Sequence, residues 1–368
     1  MYFANSYAGK RVFVTGHTGF KGSWLSEWLL SLGAEVTGYS LEPPTTPALF
    51  DQLGLQSRLT HIEADVRDKD SVVSAIRDAS PDYVFHLAAQ SLVRFSYKEP
   101  IETFETNVLG TANVLEALKL YNKECAAVVI TTDKCYENRE WLHGYREGDP
   151  LGGHDPYSAS KAAAELVVAA YRLSFFGHSP VKVASARAGN VIGGGDWALD
   201  RLVPDAMRAL GGGQAIPVRH RGATRPWQHV LEPLSGYLWL AATMANPQIL
   251  SAPVSEPLTS AFNFGPGLES NAPVSELVEE ALSHWPGEWE DHSDANAPHE
   301  ANLLHLSTDK AFHVLEWKPV WDIGETIEQT VTWYRDSHEG QSQVELTQAA
   351  IASYVERARE LGILWARH

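Results

Sequence analysis

Tyr157 and Lys161 stand four residues apart in the string Tyr-Ser-Ala-Ser-Lys, at the start of a stretch that reads as a helix. Positions i and i+4 of a helix share a face, so the ammonium comes beside the phenol. A nearby cation favours phenolate and lowers a phenol from its free value of about 10. Such a pair is a base that can take a hydroxyl proton while hydride leaves the same carbon.

Hydride needs an acceptor, and a second motif supplies a seat for one. Gly16-His17-Thr18-Gly19-Phe20-Lys21-Gly22 has G-x-x-G-x-x-G spacing and joins an apolar run to an amphipathic stretch. Glycines there let the chain turn tightly and bring a helix N-terminus close to a pyrophosphate, whose charge the free N–H groups and helix dipole hold. At the first strand-to-helix turn of an N-terminal βαβ unit, this spacing predicts a dinucleotide site formed by Gly16, Thr18, Gly19, Phe20, Lys21 and Gly22. An acidic residue usually ends the second strand of such a unit and bonds the ribose hydroxyls. Here Ser40 holds that position and Glu42 lies two residues on. No arginine lies nearby in sequence to pair with a 2′-phosphate, so NAD is the expected cofactor. Asp65-Val66 closes the third strand, where the carboxylate could accept the adenine amino group.

The elements that must carry these residues follow from apolar periodicity. Strand-length runs at 10–16, 34–41, 59–66, 82–89, 126–132 and 181–186 alternate with helical stretches at 22–32, 68–79, 103–121 and 157–176. That alternation predicts an α/β fold with a doubly wound parallel sheet, its ligands at the carboxyl ends of the strands. After residue 190 glycine and proline punctuate the chain, and 260–265 could add one more strand. The expected division is a dinucleotide-binding domain, 1–189 plus 230–267, and a smaller discontinuous substrate lobe with C-terminal helices, 190–229 plus 268–368.

Gly16–Gly22, His86-Leu-Ala-Ala-Gln90, Asn107-Val-Leu-Gly-Thr111 and Tyr157…Lys161 together resemble the extended short-chain dehydrogenase/reductase superfamily. Leu315-Glu-Trp-Lys-Pro319 is similar to its closing L-x-W-x-P element. Within it, residues 16–25, 131–138 and 186–197 closely resemble the sugar-nucleotide 4,6-dehydratases, in the branch whose substrate is CDP-glucose. The resemblance implies a Rossmann-like fold, with Leu87, Ala88 and Ala89 also lining the cofactor. Thr132 would bond the sugar 4-hydroxyl, and Asp133, held protonated, would donate to the leaving 6-hydroxyl. The third residue of this triplet is normally a carboxylate that takes the C5 proton, and this chain has Lys134. Three roles stay open for Lys134: a base whose pKa falls through burial and the Lys161 charge, a cation that steadies the enolate, or a salt-bridge partner. Gln90 and Ser91 follow the fourth strand and could bond the sugar. The resemblance further implies that Asn190 meets sugar or diphosphate, Leu202 and Val203 flank the base, and Arg225 grips the diphosphate, with Arg219 and Arg221 clustered near it. It also implies a homodimer, the pairing of two dimers being left open.

Composition excludes other classes. Among 368 residues, 46 acidic and 29 basic side chains give a net charge of −17, a poor match for nucleic acid. The two cysteines, Cys125 and Cys135, make neither a disulfide framework nor a zinc site. His292, His299 and His305 lack metal-ligand spacing, and His17 in the glycine turn is read as structural, so no metal is expected. With no apolar signal core and no run of membrane-spanning length, the expectation is a cytoplasmic protein without membrane contact. Three rivals remain: a 4,6-dehydratase acting on GDP-mannose or dTDP-glucose, a sugar-nucleotide epimerase, which needs Tyr157 and Lys161 but no acid at 133, and a non-catalytic nucleotide sensor, to which an intact Tyr-Lys pair is foreign.

Overall fold

The computed structural model describes residues 2–253, 256–293 and 303–367; His299 lies outside them. Seven strands form one sheet: β1 Arg11–Thr15, β2 Glu35–Ser40, β3 Thr60–Glu63, β4 Tyr83–His86, β5 Cys125–Ile130, β6 Val181–Arg187 and β7 Ala261–Asn263. Their order across the sheet is β7-β6-β5-β4-β1-β2-β3, and every pairing is parallel. The 261–263 strand joins the edge beside β6, as its apolar pattern predicts.

The central strands are buried along their length because helices cover both faces. Side chains alternate between two apolar layers. Val12, Val14, Ala126 and Val128 face α1 (Phe20–Ser31), through Trp24, Leu25 and Trp28. Phe13, Ala127 and Val129 face the other layer, with Val72 and Ile76 of α2 (Lys69–Ala79) and Val114 and Leu118 further on. Trp24 and Trp28 are therefore core residues, and the Trp24 indole N–H donates to the Gly194 carbonyl at 2.8 Å.

The expected helix over 103–121 is built differently. Pro100–Phe104 (α3) runs through a π-helical turn, Glu105–Leu109, into Gly110–Tyr121 (α4). The wider turn brings the Asn107 amide to the Gln90 backbone, at 2.9 Å for both bonds, and to Ser160 Oγ at 2.8 Å. Tyr157 and Lys161 lie on α5, Pro156–Tyr171, which starts where it does because Pro156 opens it and Asp155 accepts the Ser158 N–H at 2.9 Å.

Residues beyond 190 add three two-stranded ladders: 191–192 with 228–229, 216–218 with 289–291, and 224–226 with 271–273. Helices Leu202–Gly211 (α6) and Val274–His284 pack beside them. Helix Gln343–Glu360, grouped by sequence with this lobe, packs on α1 instead, where Trp365 stacks on Phe3 at 4.8 Å between ring centres. No helix of the described residues is long and apolar enough to cross a membrane.

The segment holding Trp317 is fastened to helix Leu231–Ala245 by a buried carboxylate. Glu232 accepts the Trp321 N–H at 2.8 Å, the Val320 N–H at 3.0 Å and the Tyr354 hydroxyl at 2.8 Å. Burial raises Glu232 to about 7, against the pull of those donors. A carboxyl raised on folding stabilises fully below its unfolded value and loses that contribution as pH rises through about 7. Glu232→Gln should therefore flatten the fall in stability between about pH 4.5 and 7, a difference of about 3 kcal/mol. Urea unfolding across that range checks it: parallel curves for variant and wild type would contradict it.

Candidate active site

The glycine turn fits a dinucleotide. Gly16 has φ +74°, and a Cβ there would meet the Ala88 backbone nitrogen at 2.7 Å. A Cβ on Gly22 would lie 2.1 Å from the Gly16 carbonyl oxygen. No side chain caps Gly19, so the first turn of α1 keeps backbone donors for an anion. Thr18 Oγ1 lies 2.8 Å from Ser40 Oγ and donates to the Leu41 carbonyl, which places Ser40 at the mouth of the turn. Ala88 N donates to Thr15 Oγ1 at 3.1 Å, and Leu87 and Ala89 flank it half-buried. These residues could hold the cofactor.

Two details differ from expectation on the adenosine side. Val66 is buried against Gly110. Asp65 is bound by Arg67, 2.6 Å away, whose bonds outweigh burial and hold the carboxyl low. Arg67 also shows that folding does bring an arginine to this corner, although one already matched by a carboxylate. His17 is buried beneath Gly38 and bonds His61 at 2.7 Å; burial and His61 lower it to about 4.

Tyr157, Lys161, Thr132 and Asp133 converge at the carboxyl end of β5, all nearly buried. Thr132 Oγ1 donates to Asp133 Oδ1 at 2.8 Å, and Asn190 Nδ2 donates to Asp133 Oδ2 at 3.2 Å. Gly189 makes this approach possible, since a Cβ there would fall 2.0 Å from the Asp133 carboxyl carbon. Lys161 Nζ donates to the Ile130 carbonyl at 3.4 Å, and burial lowers it to about 8 against Glu165 and Cys135.

The expected acidic phenol is not what the fold produces by itself. Burial pushes Tyr157 up to about 12; the Thr132 hydroxyl and Arg201 pull it down, and Asp133 pushes it further up. Burial is what a phenolate here has to overcome. Lys134 is exposed, so the burial that a lysine base calls for is absent.

On the substrate side, Ser91 is exposed and accepts from Arg201 at 3.2 Å. The Gln90 amide is engaged internally, by Leu92 N at 2.5 Å and Thr103 Oγ1 at 2.9 Å, which makes it a brace for the loop. Leu202 is half-buried at the start of α6, but Val203 turns into the core beside Met207, Ile216 and Leu277 and cannot flank a base. Arg219 pairs with Asp200 at 3.1 Å and Asp205 at 3.4 Å. Arg225 is half-buried on the 224–226 strand and donates to the Thr224 carbonyl. Among the described residues no group of three metal-binding side chains forms.

Sequence reasoning missed Arg201, Asp196 and Gly189. Arg201 pairs with Asp196 at 2.8 Å, and its field reaches both Tyr157 and Lys21. Lys21 is lowered to about 8 by burial and by Arg201, with Asp133 opposing. The signal for Arg201 was its place just before Leu202, in a loop already marked as ligand-facing.

Known proteins share this fold. The family model for GDP-mannose 4,6-dehydratase matches residues 13–330. A CDP-glucose 4,6-dehydratase of Salmonella typhimurium is 46% identical over 357 residues, covering 95% of this chain and 98% of its own. A UDP-glucose 4-epimerase of Thermus thermophilus in complex with NAD is 27% identical, with TM-score 0.72 over 88% of this chain and 99% of its own. A dTDP-glucose 4,6-dehydratase of Streptomyces venezuelae shares the fold at 24% identity, TM-score 0.74, over 91% and 99%. With its glycine turn, its Tyr-Lys pair and a threonine–aspartate pair at one strand rim, the chain belongs to the sugar-nucleotide 4,6-dehydratase family of the extended short-chain dehydrogenases/reductases.

Proposed function

We propose that this chain converts CDP-glucose to CDP-4-keto-6-deoxyglucose, an early step in making deoxysugars, with NAD as a resident cofactor. The observation that supports this reading is that Tyr157 and Asp133 both bond Thr132 at one rim, a geometry suited to one proton acceptor and one proton donor. An epimerase has no use for the donor. The CDP preference rests on the 46% identity to the Salmonella enzyme.

Bound at the glycine turn, NAD would supply the hydride chemistry that links C4 and C6. Tyr157 takes the 4-hydroxyl proton as a phenolate, a form that burial opposes and that the Lys161 ammonium and the cationic nicotinamide of a bound cofactor would favour, and Thr132 orients that hydroxyl. The resulting ketone acidifies the C5 hydrogen, and its proton passes to solvent water. Asp133 then protonates the departing 6-hydroxyl, so water leaves across C5–C6. In the free site both Asp133 oxygens accept hydrogen bonds. For Asp133 to donate, the Thr132 hydroxyl has to turn to another acceptor, and the sugar's O4 is one. Lys134, exposed at the end of the triplet, is suited to steadying the enolate as a cation. Lys134→Met should slow both turnover and exchange of the C5 hydrogen with deuterated solvent by about 10²-fold. Wild-type exchange in that variant would dismiss a chemical role.

The surface around α4 and α5, which touch, exposes Leu109, Leu120, Leu166 and Leu173. We assign it to a homodimer contact; sedimentation would separate monomer, dimer and tetramer. The reaction draws on cytoplasmic pools of nucleotide sugar and NAD, and we assign the protein to that compartment. The function is tested by separate incubations with CDP-glucose, GDP-mannose and dTDP-glucose. A 4-keto-6-deoxy product from CDP-glucose alone is expected. Product from another nucleotide sugar would overturn the base preference, and no turnover of any would favour a non-catalytic nucleotide-binding protein.

A further inference from the structure

Behind the catalytic rim lies a buried ion pair that no step above uses. Glu165 follows Lys161 by one helical turn on α5 and Tyr157 by two. Its Oε1 accepts the Thr131 hydroxyl at 2.5 Å; its Oε2 accepts Ser185 Oγ and Arg187 Nη2, both at 2.8 Å. Arg187 Nη1 donates to the Tyr136 hydroxyl at 2.7 Å and to the Glu147 carbonyl at 3.2 Å. Its guanidinium lies 4.9 Å from the centre of the Tyr136 ring, whose hydroxyl donates to Asn263 Oδ1 at 2.8 Å. The paired side chains are only 3% and 4% exposed.

Thr131 comes immediately before the Thr132-Asp133-Lys134 turn, and Tyr136 lies two residues after it. The carboxylate therefore grips one end of that turn and the guanidinium grips the other. Arg187 also ends β6, three residues before Asn190, which bonds Asp133 from the opposite side. A buried ion pair is a poor way to gain stability, because desolvation offsets most of its attraction. Placement is what it offers: misplacing a reacting group by about 1 Å costs about 10²-fold in rate.

We propose that the Glu165–Arg187 pair is the positioning element of this site, holding the Thr132-Asp133-Lys134 turn in register with Tyr157 and Lys161. The inference deepens the dehydratase reading and rests on it for the roles of Asp133 and Tyr157. Glu165 has an electrostatic part as well. The groups facing Lys161 are Glu165 and Tyr157 on its own helix, Cys135 on the turn, His86 at the end of β4 and Lys21 at the start of α1. Of these, Glu165 opposes burial most and helps keep the ammonium charged, while its own carboxyl, pushed up by burial, is held low by Arg187 and its hydroxyl partners.

The test uses NAD-loaded Glu165→Gln with CDP-glucose. Expected are a fall in kcat of about 10²-fold with KM changed less than about twofold, and an alkaline limb of the kcat–pH profile moved down by about one unit as Lys161 loses its proton earlier. Glu165→Asp should bring the limb back towards wild type. Amide exchange over residues 131–136 should quicken about tenfold while β1 and β4 keep their protection. A merely structural pair would lower yield or melting temperature and leave kcat per folded molecule, the limb and local exchange unchanged, which would overturn the proposal. Should Glu165→Gln not fold, Thr131→Val and Tyr136→Phe decide. Lower kcat at constant KM with faster local exchange supports the clamp, and wild-type values in both overturn it. A wild type that turns over no sugar nucleotide refutes the dehydratase reading instead, and the exchange data then judge the clamp alone.

Discussion

Tyr157→Phe is expected to lower kcat on CDP-glucose by about 10³–10⁴-fold while the dissociation constants of CDP-glucose and NAD change less than about threefold. The substitution removes one oxygen from a side chain packed almost out of solvent, so the cavity and its neighbours persist. What disappears is the acceptor for the 4-hydroxyl proton, without which the first bond change cannot proceed. Equilibrium binding and single-turnover product formation, measured on the same preparation, separate the two effects. A variant with more than about a tenth of wild-type kcat would remove Tyr157 from the chemistry.

Asp133→Asn should lower product formation by about 10³-fold yet leave exchange of the C5 hydrogen with solvent faster than product formation. The asparagine keeps a side chain of the same shape in the space left by Gly189 and near Asn190. It cannot give a proton to the departing 6-hydroxyl, so oxidation at C4 and loss of the C5 hydrogen continue while elimination stalls. Deuterium uptake into recovered CDP-glucose measures the partition. Uptake that falls in step with product would mean that Asp133 acts before elimination, at binding or at oxidation.

How much of this was legible in sequence depended on the range of the interaction. The β1–turn–α1 unit is local: its glycine spacing and flanking apolar runs specify the cradle, and Gly16 at φ +74° meets that expectation. Tyr157 and Lys161 were legible because helical geometry relates i to i+4. The π-helical turn at 105–109 was not, since its cause is the distant pairing of Asn107 with Gln90 and Ser160. Val203 misled because adjacent residues at a helix start face different ways, Leu202 outward and Val203 into the core. The environment of Tyr157 was only half legible: sequence shows the lysine beside the phenol but not the burial that raises it. Glu165 and Arg187 belong to different elements, and only the fold shows that they hold opposite ends of one turn.

The central claim is that oxidation, elimination and reduction occur on one sugar without exchange of the migrating hydride. CDP-glucose deuterated at C4 tests it most directly, with the product analysed by mass spectrometry and proton NMR. The account predicts that the C4 deuterium appears in the new C6 methyl group and that C5 carries hydrogen from solvent. A 4-keto-6-deoxy product whose methyl group holds no C4 label, or a product that keeps its 6-hydroxyl, would contradict it.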